Sequence, residues 1–300
     1  MTAVPVALPA VRAANVLWRF ARPHTIIGTA LSVAGLYGIA AAEGHGTGAG
    51  DLIATLIAGL AVNVAIVGVN QITDVEIDRV NKPYLPIAAG DLTIGQAWAI
   101  VLAATLLPLA MALTQGAAEL VAVAAALAVG ALYSLPPARL KRFPVAASLC
   151  ITGVRSLAVN LGVYAHFAHR IDPPVWALCL FVLPFSFAIA VLKDVPDLEG
   201  DRAFSIRTFT VRMGPRRVFH IGLGALVLAY AGMIVVAPPL LAGHANAAVL
   251  IAGHLGALAL LIRWSRLARP GDESFTAFYM RVWALFFLEY LLVPLACLTS

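Results

Sequence analysis

Two stretches of the chain set carboxylates in the same order. Asp74-Val-Glu-Ile-Asp78-Arg79 and Asp197-Leu-Glu-Gly-Asp201-Arg202 both read D-[VL]-E-x-D-R. Residues four apart on a helix share a face, so Asn70, Asp74 and Asp78 form one ladder of oxygen ligands. Asp194, Asp197 and Asp201 form a second, at spacings of three and four. Glu76 and Glu199 fall two residues off and point away. Pro196 suits the first turn of a helix, with Asp194 as its cap. Any one of these acids could simply solvate a loop or pair with a nearby Arg. Two ladders in one order point instead to Mg²⁺, which takes oxygen ligands and shares its coordination between a few carboxylates and substrate phosphates. No His/Cys set has zinc spacing, and no G-x-x-x-x-G-K-[ST] string offers a nucleotide loop. Lys82, Arg139, Lys141, Lys193 and Arg202 accompany the acids. Mixed charge of this kind at a lipid boundary suits a magnesium–diphosphate group with a hydrocarbon tail.

The elements that must position these residues are membrane-spanning helices. Of the 300 residues, 61% are hydrophobic and 12% charged. A soluble domain runs at about 45–50% apolar and about 25% charged, so a water-soluble fold is excluded. Disorder is excluded too, since it needs low hydrophobicity. Apolar runs rich in Ala, Leu, Val and Gly recur to the C-terminus without the alternation of a barrel strand. Splitting at polar breaks predicts nine spans near 25–42, 51–73, 95–114, 117–134, 144–166, 173–193, 217–238, 244–262 and 275–298, each about the 20 residues a bilayer needs. The expected fold is an all-α membrane bundle of nine transmembrane helices.

With these spans, seventeen of the twenty Lys and Arg fall on one side. Arg170 alone falls on the other, and Arg155 and Arg281 lie within spans. The positive-inside rule then makes the N-terminus and both acidic loops cytoplasmic and the C-terminus external. The expected organisation is a cytoplasmic segment 1–24 and one transmembrane domain 25–298, with loops 74–94 and 193–217 carrying the site. The first 17 residues hold one Arg and no long apolar core, so no cleavable signal is expected. Each acidic motif follows an outside-to-inside span, and four spans separate the two. That predicts two parallel four-helix repeats plus a last helix, meeting around a central site. The net charge of +5 reflects loop topology, and no nucleic-acid partner is expected. Cys150, Cys179 and Cys297 share no ligand-like spacing and read as inert thiols. Arg155 is an intramembrane charge, a functional-site hypothesis by default, and Glu289 is a second.

The motif N-x-x-x-D-x-x-x-D at Asn70, Asp74 and Asp78, with D-x-x-x-D at Asp197 and Asp201, resembles the UbiA superfamily of intramembrane prenyltransferases. The resemblance runs from Arg22 to the last helix. It is closer to the homogentisate prenyltransferases, the phytyl-transferring branch of vitamin E synthesis. The strings that carry it are Arg22-Pro-His-Thr-Ile-Ile-Gly28, Asn81-Lys-Pro-Tyr-Leu-Pro86, Tyr133-Ser-Leu-Pro-Pro137, Leu140-Lys-Arg-Phe-Pro144 and Lys193-Asp-Val-Pro-Asp-Leu-Glu-Gly-Asp201.

The resemblance implies Mg²⁺-dependent transfer of a phytyl or geranylgeranyl group from its diphosphate to homogentisate, with decarboxylation, in tocopherol or prenylquinone synthesis. It implies a bacterial inner membrane as the setting. Asn70, Asp74, Asp78, Asp194, Asp197 and Asp201 would hold the metal, and Lys141, Lys193 and Arg202 would help neutralise the diphosphate. Arg22, His24, Lys82, Tyr133, Arg139, Arg155 and Asn160 would bind acceptor or diphosphate. Asp91 and the Gly90 turn would belong to a loop closing over the site. Other acceptors (4-hydroxybenzoate, a chlorophyllide or a glycerol-phosphate lipid) and a cation-coupled transporter are the alternatives.

Overall fold

The computed structural model describes residues 10–46 and 48–300; the first nine residues of the expected N-terminal segment lie outside them. Among the described residues there are helices and loops but no strand. A short amphipathic helix, α1 (Ala10–Phe20), leads into α2 (Pro23–Ala42) and α3 (Ala49–Thr73). A short α4 (Val75–Asn81) precedes α5 (Ile94–Gln115) and α6 (Ala117–Ser134). Then follow α7 (Pro144–Ala168) and α8 (Pro173–Leu192), and the short α9 (Leu198–Ala203) and α10 (Phe209–Met213). The chain ends with α11 (Pro215–Leu240), α12 (Ala247–Ser265) and α13 (Glu273–Leu298). Nine of these helices, all but α1, α4, α9 and α10, are long and apolar enough to cross a membrane.

The starts follow local chemistry. Pro23, Pro144, Pro173 and Pro215 open four spans at the position where a missing N–H costs nothing. The eighth span starts at Ala247, three residues later than its hydropathy suggests. Asn246 caps it there, accepting from Ala248 N at 3.1 Å and Val249 N at 3.3 Å. Helix α8 is the buried axis of the bundle, whereas α5 turns Leu102, Leu106 and Leu113 outward. Helices α2 and α13 approach closely at Gly35, where a Cβ would sit 2.5 Å from the Tyr290 carbonyl oxygen. Glu289, left open by its sequence, is buried against His254 Nε2 at 3.2 Å and ties α13 to α12.

Two local expectations are corrected. The first ladder does not ride one continuous helix. Helix α3 stops at Thr73, and Asp74 turns the chain (φ −119°, ψ 17°) before α4 resumes. In the second motif, α9 begins at Leu198 with Asp197 at its cap position, so Pro196 precedes the helix and Asp194 does not cap it. Proline biases the residue before it away from helical geometry, which keeps 193–197 a turn. Helices α4 and α9 nevertheless dock on each other. Asn81 Oδ1 accepts from Gly200 N at 3.0 Å, and a Cβ at position 200 would lie 2.3 Å from that oxygen. This contact sets the two acidic motifs face to face at one end of the bundle.

The opposite end is closed by a different knot. Asp172, in the loop between α7 and α8, accepts from Tyr164 Oη at 2.8 Å and meets His45 Nε2 at 2.7 Å and Arg170 Nε at 2.7 Å. Burial would raise its pKa, but these partners outweigh burial and hold the carboxyl below its ordinary value.

Candidate active site

A cavity of about 820 Å³ opens between α4 and α9 and runs down the bundle. Its mouth is polar and its shaft mostly apolar, with Thr29, Ser32 and Asn63 among the Ala, Val and Ile side chains along it. From the first motif it takes Asn70, Asp74, Asp78 and Lys82; from the second, Lys193, Asp194, Asp197 and Asp201. Arg22, His24, Tyr133, Lys141 and Arg155 also line it. Glu76 and Glu199 do not, and both are exposed, as their spacing predicts.

The mouth pairs acids with bases. Asp74 receives Lys141 Nζ at 2.7 Å and Arg139 Nη2 at 3.2 Å. Asn70 bridges the motif to α2: its Nδ2 donates to Asp74 at 2.9 Å, and its Oδ1 accepts from Arg22 at 3.1 Å. Arg22 (φ 56°) and Arg139 (φ 36°) both hold left-handed backbone, a costly conformation for a residue with a side chain. His169 and Ser205 hold such backbone elsewhere, but these two arginines are turned toward the first motif, which suits a site that over-determines its geometry. On the other side, Lys82 bonds Asp197, and Lys193 Nζ meets Asp194 at 2.7 Å. Burial opposes the charge on Lys193, but Asp194, Tyr133 and Asp197 together outweigh burial and raise its pKa well above the ordinary lysine value. Burial lowers that of Lys141, with Asp74 pulling the other way.

Asp78 and Asp201 are the exceptions. They are equivalent positions in the two motifs, 5% and 6% exposed, and each keeps a buried carboxylate oxygen with no partner. Burial pushes Asp78 up to about 6 against the pull of Arg22 and Lys82. Burial pushes Asp201 up to about 7, with Asp194 and Asp197 adding to it. Among the described residues, no three His, Cys, Asp or Glu converge closely enough to hold a metal by themselves. The donor set is all oxygen, with two unsatisfied carboxylates, one from each motif, lining one cavity. It fits a hard divalent cation that takes the rest of its ligands from a phosphate.

Below the mouth, Arg155 lies in a π-helical turn of α7, Val154–Ala158, with no ion pair among the described residues. Its guanidinium sits 4.9 Å from the Trp283 ring centroid and 5.4 Å from that of Phe286, and its Nη1 is buried without a partner. His24 meets Trp283 edge-on at 4.8 Å. Together they make an aromatic slot with one free cation.

Three expected site residues fall outside the cavity. Arg139 holds Asp74 from behind and also donates to the Thr73 carbonyl at 3.1 Å. Asn160 is fully buried and accepts from Tyr290 Oη at 2.8 Å, so it positions Tyr290, which does line the cavity. Arg202 is exposed, because it follows Asp201 on a short helix whose inward face the acid takes. Asp91 also stays outside: it bonds Arg19, whose Nη1 donates to the Tyr84 carbonyl at 2.8 Å, while Tyr84 and Leu85 line the mouth. The Arg19 bond holds the Asp91 carboxyl below its ordinary value. Sequence reasoning missed Trp283, Asn81 and Thr73, whose Oγ1 accepts from Lys141 at 2.8 Å. Asn81 opens the Asn81-Lys-Pro-Tyr-Leu-Pro86 string of the resemblance, three residues past the first motif's last acid, but nothing in the spacing gave it a role. Cys150 lines the cavity wall and is free, as are the buried Cys179 and Cys297.

The UbiA prenyltransferase family model matches residues 31–285. The chain belongs to the UbiA prenyltransferase family. Among its relatives, the homogentisate phytyltransferase of Synechocystis sp. is 45% identical over 93% of this chain and 94% of its own length. The homogentisate solanesyltransferase of Arabidopsis thaliana is 37% identical over 93% of this chain and 76% of its own. A UbiA homologue from Archaeoglobus fulgidus, solved bound to DMAPP and Mg²⁺, superposes with a TM-score of 0.64 at 20% identity. It covers 93% of this chain and 98% of that one. A digeranylgeranylglyceryl phosphate synthase structure gives 0.67 at 17% identity, over 96% and 99%. At these identities the solved structures carry the fold alone. The polar mouth is thus the candidate active site of a UbiA-family prenyltransferase, an integral membrane protein.

Proposed function

We propose that the protein transfers a prenyl group of the phytyl or geranylgeranyl class from its diphosphate to homogentisate, with loss of carbon dioxide, in tocopherol or prenylquinone synthesis. One observation carries this reading. Asp78 and Asp201, one from each motif, offer unsatisfied oxygens at the head of a cavity whose shaft is mostly apolar. A charged, metal-bridged head and a hydrocarbon tail fit that division. The names of the relatives supply the acceptor.

Asn70, Asp74, Asp78, Asp194, Asp197 and Asp201 would hold Mg²⁺. Bound there, it supplies positive charge to the departing diphosphate. Lys82, Lys141, Lys193 and Arg22 line the same mouth and add donors where charge develops. The bond from the prenyl C1 to the diphosphate oxygen breaks, and its electron pair leaves with oxygen. The mostly apolar shaft keeps water from the allylic cation, which would otherwise end as an alcohol. The slot of His24, Trp283 and Arg155 lies beside it. Arg155, with no acid of its own, faces the homogentisate carboxylate, and the aromatic walls hold the ring. A ring carbon takes the prenyl group. The ring proton then lost balances the proton that caps the side-chain carbon as carbon dioxide leaves. The mouth and the N-terminus face the cytoplasm of a bacterial inner membrane, with the C-terminus outside, and the nine spans group as two four-helix repeats plus α13. The seventeen cations on one side support that orientation.

The test is transfer in membranes from phytyl and geranylgeranyl diphosphates to carboxyl-labelled homogentisate. Labelled carbon dioxide should be released with Mg²⁺ and lost in excess chelator. Full transfer in chelator, or transfer to another aromatic acid but not to homogentisate, overturns the reading.

A further inference from the structure

The far end of the cavity carries a polar group that the chemistry at the mouth does not use. Glu119, on α6, lines the cavity and is 2% exposed. Among the described residues no hydrogen bond or ion pair serves it, and its Oε2 is buried without a partner. An acid in a helix's first turn suits the helix dipole. A surface acid would do that equally, however, and this one is turned inward. Thr55 stands at the same depth, with its Oγ1 donating to Gln115 Oε1 at 3.4 Å. Of the α3 and α6 residues that line the cavity, Thr55 and Glu119 lie farthest along their helices from the mouth, and they supply the polar part of its floor.

The depth of that floor can be counted along the helices. From Asn70 to Thr55 is fifteen residues of α3, about 22 Å at 1.5 Å per residue. From Tyr133 to Glu119 is fourteen residues of α6, about 21 Å. An extended chain advances about 1.2 Å per backbone bond. Four isoprene units, sixteen main-chain bonds, therefore span about 19 Å, and five span about 24 Å. A four-unit tail anchored at the mouth ends above the floor. A five-unit tail lies over Glu119.

We infer that Glu119, with Thr55 beside it, is the chain-length stop of this enzyme, limiting the prenyl tail to about four isoprene units. This rests on the prenyl-transfer reading above. Hydrocarbon laid over an unpartnered carboxyl fills the cavity that is its only open side and returns no hydrogen bond, so the fifth unit is disfavoured while the first four are not. Glu119 touches no reacting atom; it sets specificity by what it refuses to cover.

The experiment compares kcat/KM for four-unit and five-unit all-trans prenyl diphosphates, with homogentisate and Mg²⁺, in wild type, Glu119→Met and Glu119→Gln. Met is apolar and of similar length, and it should raise the five-to-four ratio about tenfold, the equivalent of about 1.4 kcal/mol. Gln keeps the floor polar and should move the ratio less than about threefold. Thr55→Val should shift it in the direction of Met by a smaller factor, and it decides alone if Glu119→Met is not recovered folded. A wild-type ratio in a folded Glu119→Met, or in Thr55→Val where that variant decides, overturns the inference and means that longer tails leave the shaft sideways. No transfer of either tail by wild type would instead overturn the prenyl-transfer reading itself.

Discussion

Asp172 and Asp201 are both buried carboxylates at the ends of membrane helices, 2% and 6% exposed, and their surroundings differ in kind. Asp172 is met by Tyr164, His45 and Arg170, and its pKa falls. Asp201 keeps an unpartnered oxygen beside two other acids, and its pKa rises to about 7. A satisfied buried acid holds elements together, and an unsatisfied one destabilises its own fold until a ligand arrives. The closed end of the bundle is built as structure and the mouth as a receptor.

That contrast can be broken by mutation. The largest effect is expected at the mouth. Asp74→Ala and Asp197→Ala hold equivalent places in the two motifs, and each should lower turnover by roughly 10²–10³, the loss typical of one removed oxyanion donor. Labelled prenyl transfer per folded protein is the measurement. At the other end the effect should fall on stability. Asp172→Asn leaves Tyr164 and His45 poorly served and should cost about 1–3 kcal/mol in unfolding, with turnover of the folded fraction near wild type.

The two ends should also answer pH oppositely. Asp78 and Asp201 have folded pKa values of about 6 and about 7, above the ordinary carboxylate value. The folded state therefore binds more protons than the unfolded one between about pH 4 and 7, and metal-free stability falls as pH rises through that window. Asp172 has a lowered folded pKa, so its contribution is present above about pH 4 and is lost as pH falls through the folded value. Thermal melts of metal-free protein should peak between the two windows. Mg²⁺ with inorganic diphosphate should flatten the alkaline limb, since the metal favours the ionised acids. The smallest effects belong to Glu76→Gln and Glu199→Gln, both exposed and outside the cavity. They should change stability by no more than about 0.5 kcal/mol and keep most activity.

Much of this was legible in the sequence, because hydropathy and capping are local. Each of the nine spans was placed within three residues, and the inward turn of the acids followed from spacing of four against two. What escaped depends on contacts distant in sequence. The bend at Asp74 keeps the ladder facing one way, through Asn70 and Lys141, while the helix itself stops. The docking of Asn81 on Gly200 joins residues 119 apart, and no periodicity announces it. Arg202 looked equal to Asp201 in a six-letter motif, yet a short helix has room for one of them on its inner face. Arg155 was legible as a costly intramembrane charge, but its seat over Trp283 was not. Glu119 sits three residues into a span, where an acid reads as a helix end.

The central claim is that the two motifs act as one receptor for a single diphosphate. A double-mutant cycle on Asp78→Asn and Asp201→Asn, read as kcat/KM for prenyl transfer with Mg²⁺, tests it most directly. Groups that act as a unit are strongly non-additive. Each single variant should lose roughly 10²–10³, and the double variant no more than about tenfold beyond the worse single. Losses that simply multiply would mean two independent sites and would contradict the account.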